Sequence, residues 1–499
     1  MSVPRPLPPA PDRRQFLKAL GLGLGGACLG WPRAGLGAVP APSSQLAGRR
    51  PNIIVIFADD LGFSDLGCYG ANIVETPNLD RMGFGGMRFT QFYNNAKCAP
   101  SRASLLTGLY SQQVGCQGPP VAMRDCVTTG EALRLAGYQT WYSGKWHAEE
   151  TPYQRGFDRA WGLCDGHCNY FNPGPARVPG DPDPAFWGAS PQKPYPRWAD
   201  NDREIIGWTP DDPDFYTTDA FTDRAITYLQ EAAGDDRPFY LHLCYTAPHF
   251  PLQARDEDIA KYRGRFKGGW DEMRRRRHER QLELGIVDAR WKLPARDEPV
   301  PAWEDATDPD EQDHLMAVYA AMIDRMDQNI GRLRQAVDER GETENTLILF
   351  MSDNGGSSED FQHTPDTPPG GIDSFRFVGA NWANASNPPF RKFKSWDHEG
   401  GVSTPGIAYW PGVIPAGTLN HDVAHLIDVM PTLLELAGSA YPQTYDGRNV
   451  TPCEGRTLLP LFEGRSREPH PQLGWQFWNW AALREGDWKI VRRAKDAPW

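Results

Sequence analysis

Four short apolar runs along the chain each end abruptly in polar residues. Residues 52–57 run into Ala58-Asp59-Asp60, and residues 138–142 into Ser143-Gly144-Lys145-Trp146-His147. Residues 239–245 run into Thr246-Ala247-Pro248-His249, and residues 346–351 into Ser352-Asp353-Asn354-Gly355-Gly356. Unbroken apolar stretches of this length predict buried strands. Between them the spacing changes to three and four: Leu315, Tyr319, Met322, Met326, Ile330 and Leu333 predict a long helix, capped after its end by Gly341. Strands alternating with helices predict an α/β sheet, in which ligands sit beyond the carboxyl ends of the strands. One polar strand end means nothing alone; four that converge make a site.

From Gly401 the pattern changes. Residues 402–411 predict a strand, 428–438 a helix and 475–491 a hairpin, which together read as a smaller C-terminal α+β subdomain over 401–499 after a main domain at 50–400. Residues 172–214, rich in Pro, Gly, Asp and Trp, predict a long ordered insertion over the pocket. The basic run Arg274–Arg277 predicts a solvated helix face.

Composition adds a core and removes some partners. Of 499 residues, 40% are hydrophobic and 18 are Trp, which argues against disorder. The net charge of −12 argues against general binding to nucleic acid or anionic membranes, so an anionic substrate must be drawn by a local cationic pocket. At the N-terminus, Arg13-Arg14-Gln15-Phe16-Leu17-Lys18 precedes an apolar, glycine-rich run at 19–30 and small residues that predict cleavage near Ala38 or Ala41. Residues 1–41 therefore read as a twin-arginine export signal, with the twin-arginine translocase as partner and a periplasmic or secreted destination. The run is short of the ~20 apolar residues a span requires, so no stable membrane span is expected after processing. Loss of Cys28 leaves eight cysteines with irregular spacing and no disulfide scaffold; Cys164 and Cys168 fit either a pair or two free thiols.

The chemistry concentrates in Cys98-Ala99-Pro100-Ser101-Arg102, followed by Ala103-Ser104-Leu105-Leu106-Thr107-Gly108. A cysteine at a predicted helix start meets backbone N–H groups and a dipole that favour negative charge, and Arg102 adds a cation one turn along. Asp59, Asp60, Asp353 and Asn354 offer only oxygen donors, a set suited to a hard cation: Ca²⁺ first, Mg²⁺ second.

The Cys98 segment resembles the signature of the type I sulfatases, in which this cysteine is oxidised to formylglycine. Ala58-Asp59-Asp60-Leu61-Gly62 resembles that family's metal-binding opening, and Gly137-Tyr138-Gln139-Thr140 with Gly144-Lys145-Trp146-His147 its second signature. Ala247-Pro248-His249, Ser352-Asp353-Asn354-Gly355, and residues 387–394 with His398-Glu399-Gly400-Gly401 also match, so the likeness runs in order over about residues 51–415. Where the family often has Leu-Gly after the second signature, this chain has Ala148-Glu149. The resemblance implies a large mixed, mostly parallel, alkaline-phosphatase-like sheet flanked by helices. It implies a formylglycine-generating maturation enzyme as partner, with a formylglycine at position 98 whose hydrate has two hydroxyls. One attacks sulfur and the other later expels sulfate. Arg102 would hold the diol; a metal on Asp59, Asp60, Asp353, Asn354 and the converted Cys98 would polarise it. Lys145, His249 and Lys394 would surround the sulfate, His249 or Lys394 would protonate the leaving alcohol, Asp353 would take the attacking proton, and His147 would act as base. The spacing favours Lys394 over its neighbour Lys392. His167, in Cys164-Asp165-Gly166-His167-Cys168, falls where similar enzymes line the substrate pocket.

Three readings follow. The first is hydrolysis of an aryl, alkyl or carbohydrate sulfate, small molecule or glycan. The second is a phosphodiesterase or phosphonate monoester hydrolase on the same fold. The third is a non-catalytic protein that captures sulfated glycans, which the filled catalytic positions oppose. The late segment at 484–491 resembles the family's last hairpin, after which similar proteins usually continue; either a final sheet lacking a strand or a natural short form fits the sequence.

Overall fold

The computed structural model describes residues 44–116, 122–184, 186, 194–361 and 363–494; the export segment at 1–41 lies outside them. One large sheet organises the described chain. Its strands are β1 (Asn52–Ala58), β2 (Met87–Tyr93), β3 (Gln139–Gly144), β4 (Arg159–Leu163), β5 (Arg197–Asp200), β6 (Arg203–Ile206), β7 (Phe239–Cys244), β8 (Thr346–Ser352), β9 (Ser403–Tyr409), β10 (Thr418–Asn420) and β11 (Ala424–His425). The order is β10-β2-β9-β8-β1-β7-β3-β4-β5-β6, with β11 on β2. The centre is parallel, Ile54 pairing with Leu241 on one side and Ile348 on the other. The four strands read from the sequence are the four neighbours β8-β1-β7-β3 at this centre.

Burial on both faces explains why those runs are unbroken. Ile54 and Ile56 join the core on one face, and Ile53, Val55 and Phe57 that on the other. The first face is covered by the helix Pro309–Glu339, entered through Asp308, whose side chain accepts from Glu311 N at 3.0 Å. Its Tyr319, Met322, Met326 and Ile330 are buried as the spacing predicts, and Gly341 follows it at φ 69°. The second face is covered by Cys98–Thr107 and Val429–Leu436.

Three expectations change. The strand expected to open the C-terminal subdomain is β9, which lies inside the large sheet, antiparallel to both β8 and β2. The boundary read at residue 401 therefore marks no change of sheet, and the separate antiparallel sheet consists of Leu473–Phe477, Trp480–Glu485 and Trp488–Arg492. The described residues of the insertion at 172–214 include β5 and β6, which extend the sheet edge beyond β4. The basic run also divides. Arg275 and Arg276 form exposed helical ion pairs with Glu272, but Arg274 and Arg277 are buried. Arg277 Nη1 donates to Asp65 Oδ1 at 2.5 Å and to Ser64 Oγ at 3.1 Å, so charge pairing, invisible in a local charge pattern, holds it inside. Cys164 and Cys168 are both free thiols.

Candidate active site

The ends of β1, β3, β7 and β8 bring their polar residues together at one edge of the sheet. After β1 the chain turns through Asp60 at φ 65°, a left-handed conformation that Asp tolerates better than most residues. Two contacts fix it: Asp353 Oδ1 accepts from Asp60 N at 3.2 Å, and the Tyr319 hydroxyl donates to Asp60 O at 3.1 Å. That hydroxyl also meets Asp65 Oδ2 at 2.8 Å, which links the turn to Arg277. After β3, Gly144 sits at φ 120°, where a Cβ would come within 1.8 Å of Cys244 O; Lys145 follows directly.

Cys98 opens its helix, and its motif residues each have a local task. Pro100 falls in the first turn, where an N–H has no helical partner anyway. Ser101 Oγ accepts from Asn95 N at 2.8 Å and Ser104 Oγ from Asn95 Nδ2 at 2.7 Å, which pins the loop that delivers Cys98. Arg102 donates to Lys145 O at 2.7 Å and to Asp353 Oδ2 at 3.0 Å.

Cations and carboxylates alternate around this centre. Lys145 pairs with Asp59, Arg102 with Asp353, and Lys394 Nζ with Asp60 Oδ2 at 2.9 Å. Arg102 also lies 3.6 Å from Asp59 Oδ2. Three cations face three carboxylates, all buried, so the bare cluster is close to neutral. A divalent cation would leave an excess positive charge suited to an anionic substrate.

The donors fit such a cation. Asp59 Oδ1 and Asn354 Oδ1 are buried without a hydrogen-bond partner, and Asn354 Nδ2 meanwhile donates to Asp60 Oδ1 at 2.7 Å. Burial and the neighbouring Asp353 push Asp59 up to about 6, and burial also raises Asp60 and Asp353. Bound positive charge relieves each of these costs. His249, not expected on the metal side, lies close to it: Nε2 is 3.7 Å from Asp60 Oδ2, and one ligand atom from each of Asp59, Asp60 and His249 falls within 4.8 Å of the others.

Every catalytic, metal and substrate residue read from the sequence reaches this region. Burial, with Lys394 and Lys145 nearby, holds His249 below the usual histidine range, and its Nδ1 lies 2.6 Å from Phe250 O. His147 is depressed by burial and by Lys145 and Arg102; its Nδ1 has no partner, and its ring lies against Gly166. His167 lies nearly parallel to His249, ring centroids 6.3 Å apart. Lys394 is separated cleanly from Lys392, which pairs elsewhere with Asp297 at 3.1 Å. His242 belongs to the core, 3.1 Å from the Tyr240 hydroxyl.

One participant went unread. Glu359 places Oε2 2.8 Å from Lys394 Nζ and Oε1 2.6 Å from Lys97 Nζ. Against the cost of burial, these two cations hold it well below the usual carboxylate range. A lone carboxylate in a polar loop carries no sequence signal; only its distance to Lys394 gives it meaning.

A mostly parallel sheet with helices on both faces and an oxygen-rich centre at its strand ends defines an alkaline-phosphatase-like hydrolase. Residues 51–439 match the sulfatase family profile; the chain belongs to that family and is a sulfuric ester hydrolase. The arylsulfatase of Klebsiella aerogenes is 34% identical, over 85% of this chain and 94% of the relative. An uncharacterized sulfatase of Schizosaccharomyces pombe is 30% identical, over 91% and 87%. The solved structure of Ps i-CgsB in complex with k-i-k-neocarrahexaose superposes with a TM-score of 0.62 at 27% identity, over 89% of this chain and 84% of that one.

Proposed function

We propose that this sulfatase hydrolyses a sulfate monoester with formylglycine derived from Cys98 and a calcium ion held by Asp59, Asp60, Asp353 and Asn354. The observation that carries this is the balanced cluster around Cys98, with orphaned oxygens on Asp59 and Asn354 and three cations within the same buried space. Formylglycine at position 98 would supply, as its hydrate, two hydroxyls on one carbon, one to serve as nucleophile and the other to expel sulfate, which a plain thiol lacks. Calcium held by these residues would supply Lewis-acid polarisation.

The chain's own groups do the rest. Arg102, anchored on Lys145 O and Asp353, keeps its buried Nε free to hold the nucleophile. Asp353 takes the attacking proton. Lys145 and Lys394 neutralise sulfate oxygens by direct contact. His249 has its Nδ1–H committed to Phe250 O, so Nε2 is the atom that would protonate the leaving oxygen; it would take up that proton once the anionic ester offsets the burial, Lys394 and Lys145 that disfavour it in the free site, with Lys394 as hydrogen-bond donor to the same oxygen. His147, whose Nδ1 is unpartnered, takes the proton that accompanies sulfate release. Residues 1–41 direct twin-arginine export of the folded enzyme to the periplasm or beyond, after a formylglycine-generating enzyme has acted.

Peptide mass spectrometry across Cys98 tests the reading. Active protein should show the cysteine converted, and Cys98→Ala should fold and bind calcium but release no sulfate. Turnover by unconverted or alanine-bearing protein would overturn it.

A further inference from the structure

A groove of about 760 Å³ opens between three walls over the end of β2. One wall is the loop after the helix Gly269–Glu283, another is the segment 389–399, and the third is the hairpin of Trp480–Glu485 and Trp488–Arg492. None of the residues that line it belongs to the catalytic centre.

Its charge runs against that of the chain. Arg290, Lys292, Arg391, Arg484 and Lys489 line it with only Glu399 and Asp487 in opposition, in a chain of net charge −12. Lys489 is spent on Glu399 at 2.6 Å, and Arg290 on Asp288 at 3.0 Å. The other three make no ion pair with a carboxylate among the described residues. Arg484 donates to the Tyr93 hydroxyl, Gln91 Oε1 and Gly486 O, all neutral. Lys292 donates to Ala289 O at 3.1 Å, and the exposed Arg391 side chain has no partner among the described residues. Each of the three stands on a different wall, so unspent positive charge borders the groove on three sides. His398 registers that field: burial, then Lys489, Arg391, Lys392 and Arg493, hold it down at about 4, and its buried Nδ1 has no partner.

The apolar part is held in place. Trp291 is 38% exposed; its ring lies 6.3 Å from Phe390, which packs on Phe63 at 4.8 Å. Its loop is tied from behind, where His278 Nε2 lies 2.8 Å from Trp291 O and Arg274 donates to Pro294 O at 2.9 Å. An indole presented on an anchored loop beside unpaired cations suits a ligand with both C–H faces and anionic groups. Because the cations are spread over three walls, charges distributed along a chain fit better than one compact oxyanion. Asp487 and Glu399 select further. Sugar hydroxyls donate to carboxylates, whereas a polynucleotide, charged at every residue, is repelled by them.

We infer that this groove docks a linear sulfated polysaccharide, apart from the catalytic centre. Docking itself needs no turnover; its benefit to hydrolysis rests on the sulfate-ester reading above. Gly400 N donates to Arg391 O at 2.9 Å and so closes the loop that carries Lys394. A polymer held at Arg391 is tethered at the base of that loop, which raises its effective concentration at the centre.

Calorimetric titration of the enzyme with dextran sulfate tests this, with neutral dextran and single-stranded DNA as comparisons. Lys292→Glu combined with Arg391→Glu should weaken dextran sulfate binding by about tenfold or more, and rising salt should weaken binding to the parent. Trp291→Ala should weaken it by about threefold. The same charge change placed elsewhere, Arg134→Glu with Arg203→Glu, should cost less than about twofold. All these side chains are exposed, so the variants should melt with the parent, and their kcat/KM for 4-nitrophenyl sulfate should match the parent's. Equal weakening by the two double variants, no weakening by the first, equal binding of neutral dextran, or tighter binding of DNA than of dextran sulfate would overturn the groove while leaving sulfate hydrolysis untouched. A parent that binds dextran sulfate through these residues yet turns over no sulfate ester would uphold the groove and overturn the hydrolytic reading.

Discussion

Glu359 Oε2 lies 2.8 Å from Lys394 Nζ, and the other oxygen of the same carboxylate holds Lys97, the residue before Cys98. One side chain thus ties the cation beside the leaving oxygen to the segment that delivers the nucleophile position. Hydrogen bonds to charged partners are worth about 1.5–3 kcal/mol, enough to fix a flexible lysine. Glu359→Gln should therefore lower kcat by about tenfold. KM should change less than kcat, because the loss of a negative charge beside an anionic ester offsets the looser hold on Lys394. Steady-state kinetics decides, and an unchanged kcat would show that Lys394 needs no such anchor.

Behind the metal donors, the Tyr319 hydroxyl joins Asp60 O to Asp65, and Asp65 joins Arg277. Tyr319→Phe should cost about 1 kcal/mol of stability and weaken calcium binding by about tenfold, since groups behind metal ligands commonly matter to that extent. Arg277→Met should be far worse, about 3–5 kcal/mol, because it leaves Asp65 charged and unpaired in the core. Thermal melts and calorimetric calcium titration separate the two effects; equal melting temperatures for both variants would contradict the network.

Asp397 predicts a pH dependence away from the active site. Both its oxygens are buried without a partner, and burial, only partly offset by Lys489, raises it to about 7. A folded-state value above the unfolded value of about 3.9 means that the fold binds the proton more tightly. The protein therefore gives up stability as pH rises from about 4 to about 7, by up to about 4 kcal/mol at full ionisation. Asp397→Asn should match the parent near pH 4 and exceed it at pH 8. Denaturant melts at the two values check this; parallel curves would mean that the carboxylate is solvated in solution.

Chelation should remove turnover and lower the melting temperature together, as the buried Asp59 Oδ1 and Asn354 Oδ1, which have no hydrogen-bond partner, lose the ligand that a bound cation would supply. Added Ca²⁺ should restore both. If the melting temperature does not respond, the cluster folds as a self-sufficient set of ion pairs and the cation contributes only to chemistry.

The sequence was most legible where the fold is most buried. The four central strands announce themselves because both faces of β1, β3, β7 and β8 are covered, which leaves no polar alternation to confuse the pattern. The charged residues at their ends were legible because a strand end in a parallel sheet is a fixed address. What stayed hidden depends on distance across the fold. β9 reads as a strand, but nothing local says that it enters the large sheet. Arg277 reads as one more basic residue on a polar helix until Asp65, 212 positions earlier, neutralises it. Glu359 lies in a loop whose composition is unremarkable and whose meaning comes from Lys394.

Asp60 and Lys394, paired at 2.9 Å, stand 334 residues apart in the chain. The pocket that encloses Cys98, 4% exposed once folded, cannot close until the far end of that span has been made. About 300 residues follow Cys98 before Lys394 emerges, which at typical synthesis rates of about 5–20 residues per second is roughly 15–60 seconds. For that interval the thiol stays open to solvent; afterwards the sheet is shut over it. On the proposed conversion of Cys98, the fraction of active molecules would be a contest between two rates, conversion on the growing chain and closure of the fold, and slower translation of the middle of the chain should raise the formylglycine fraction read by peptide mass spectrometry.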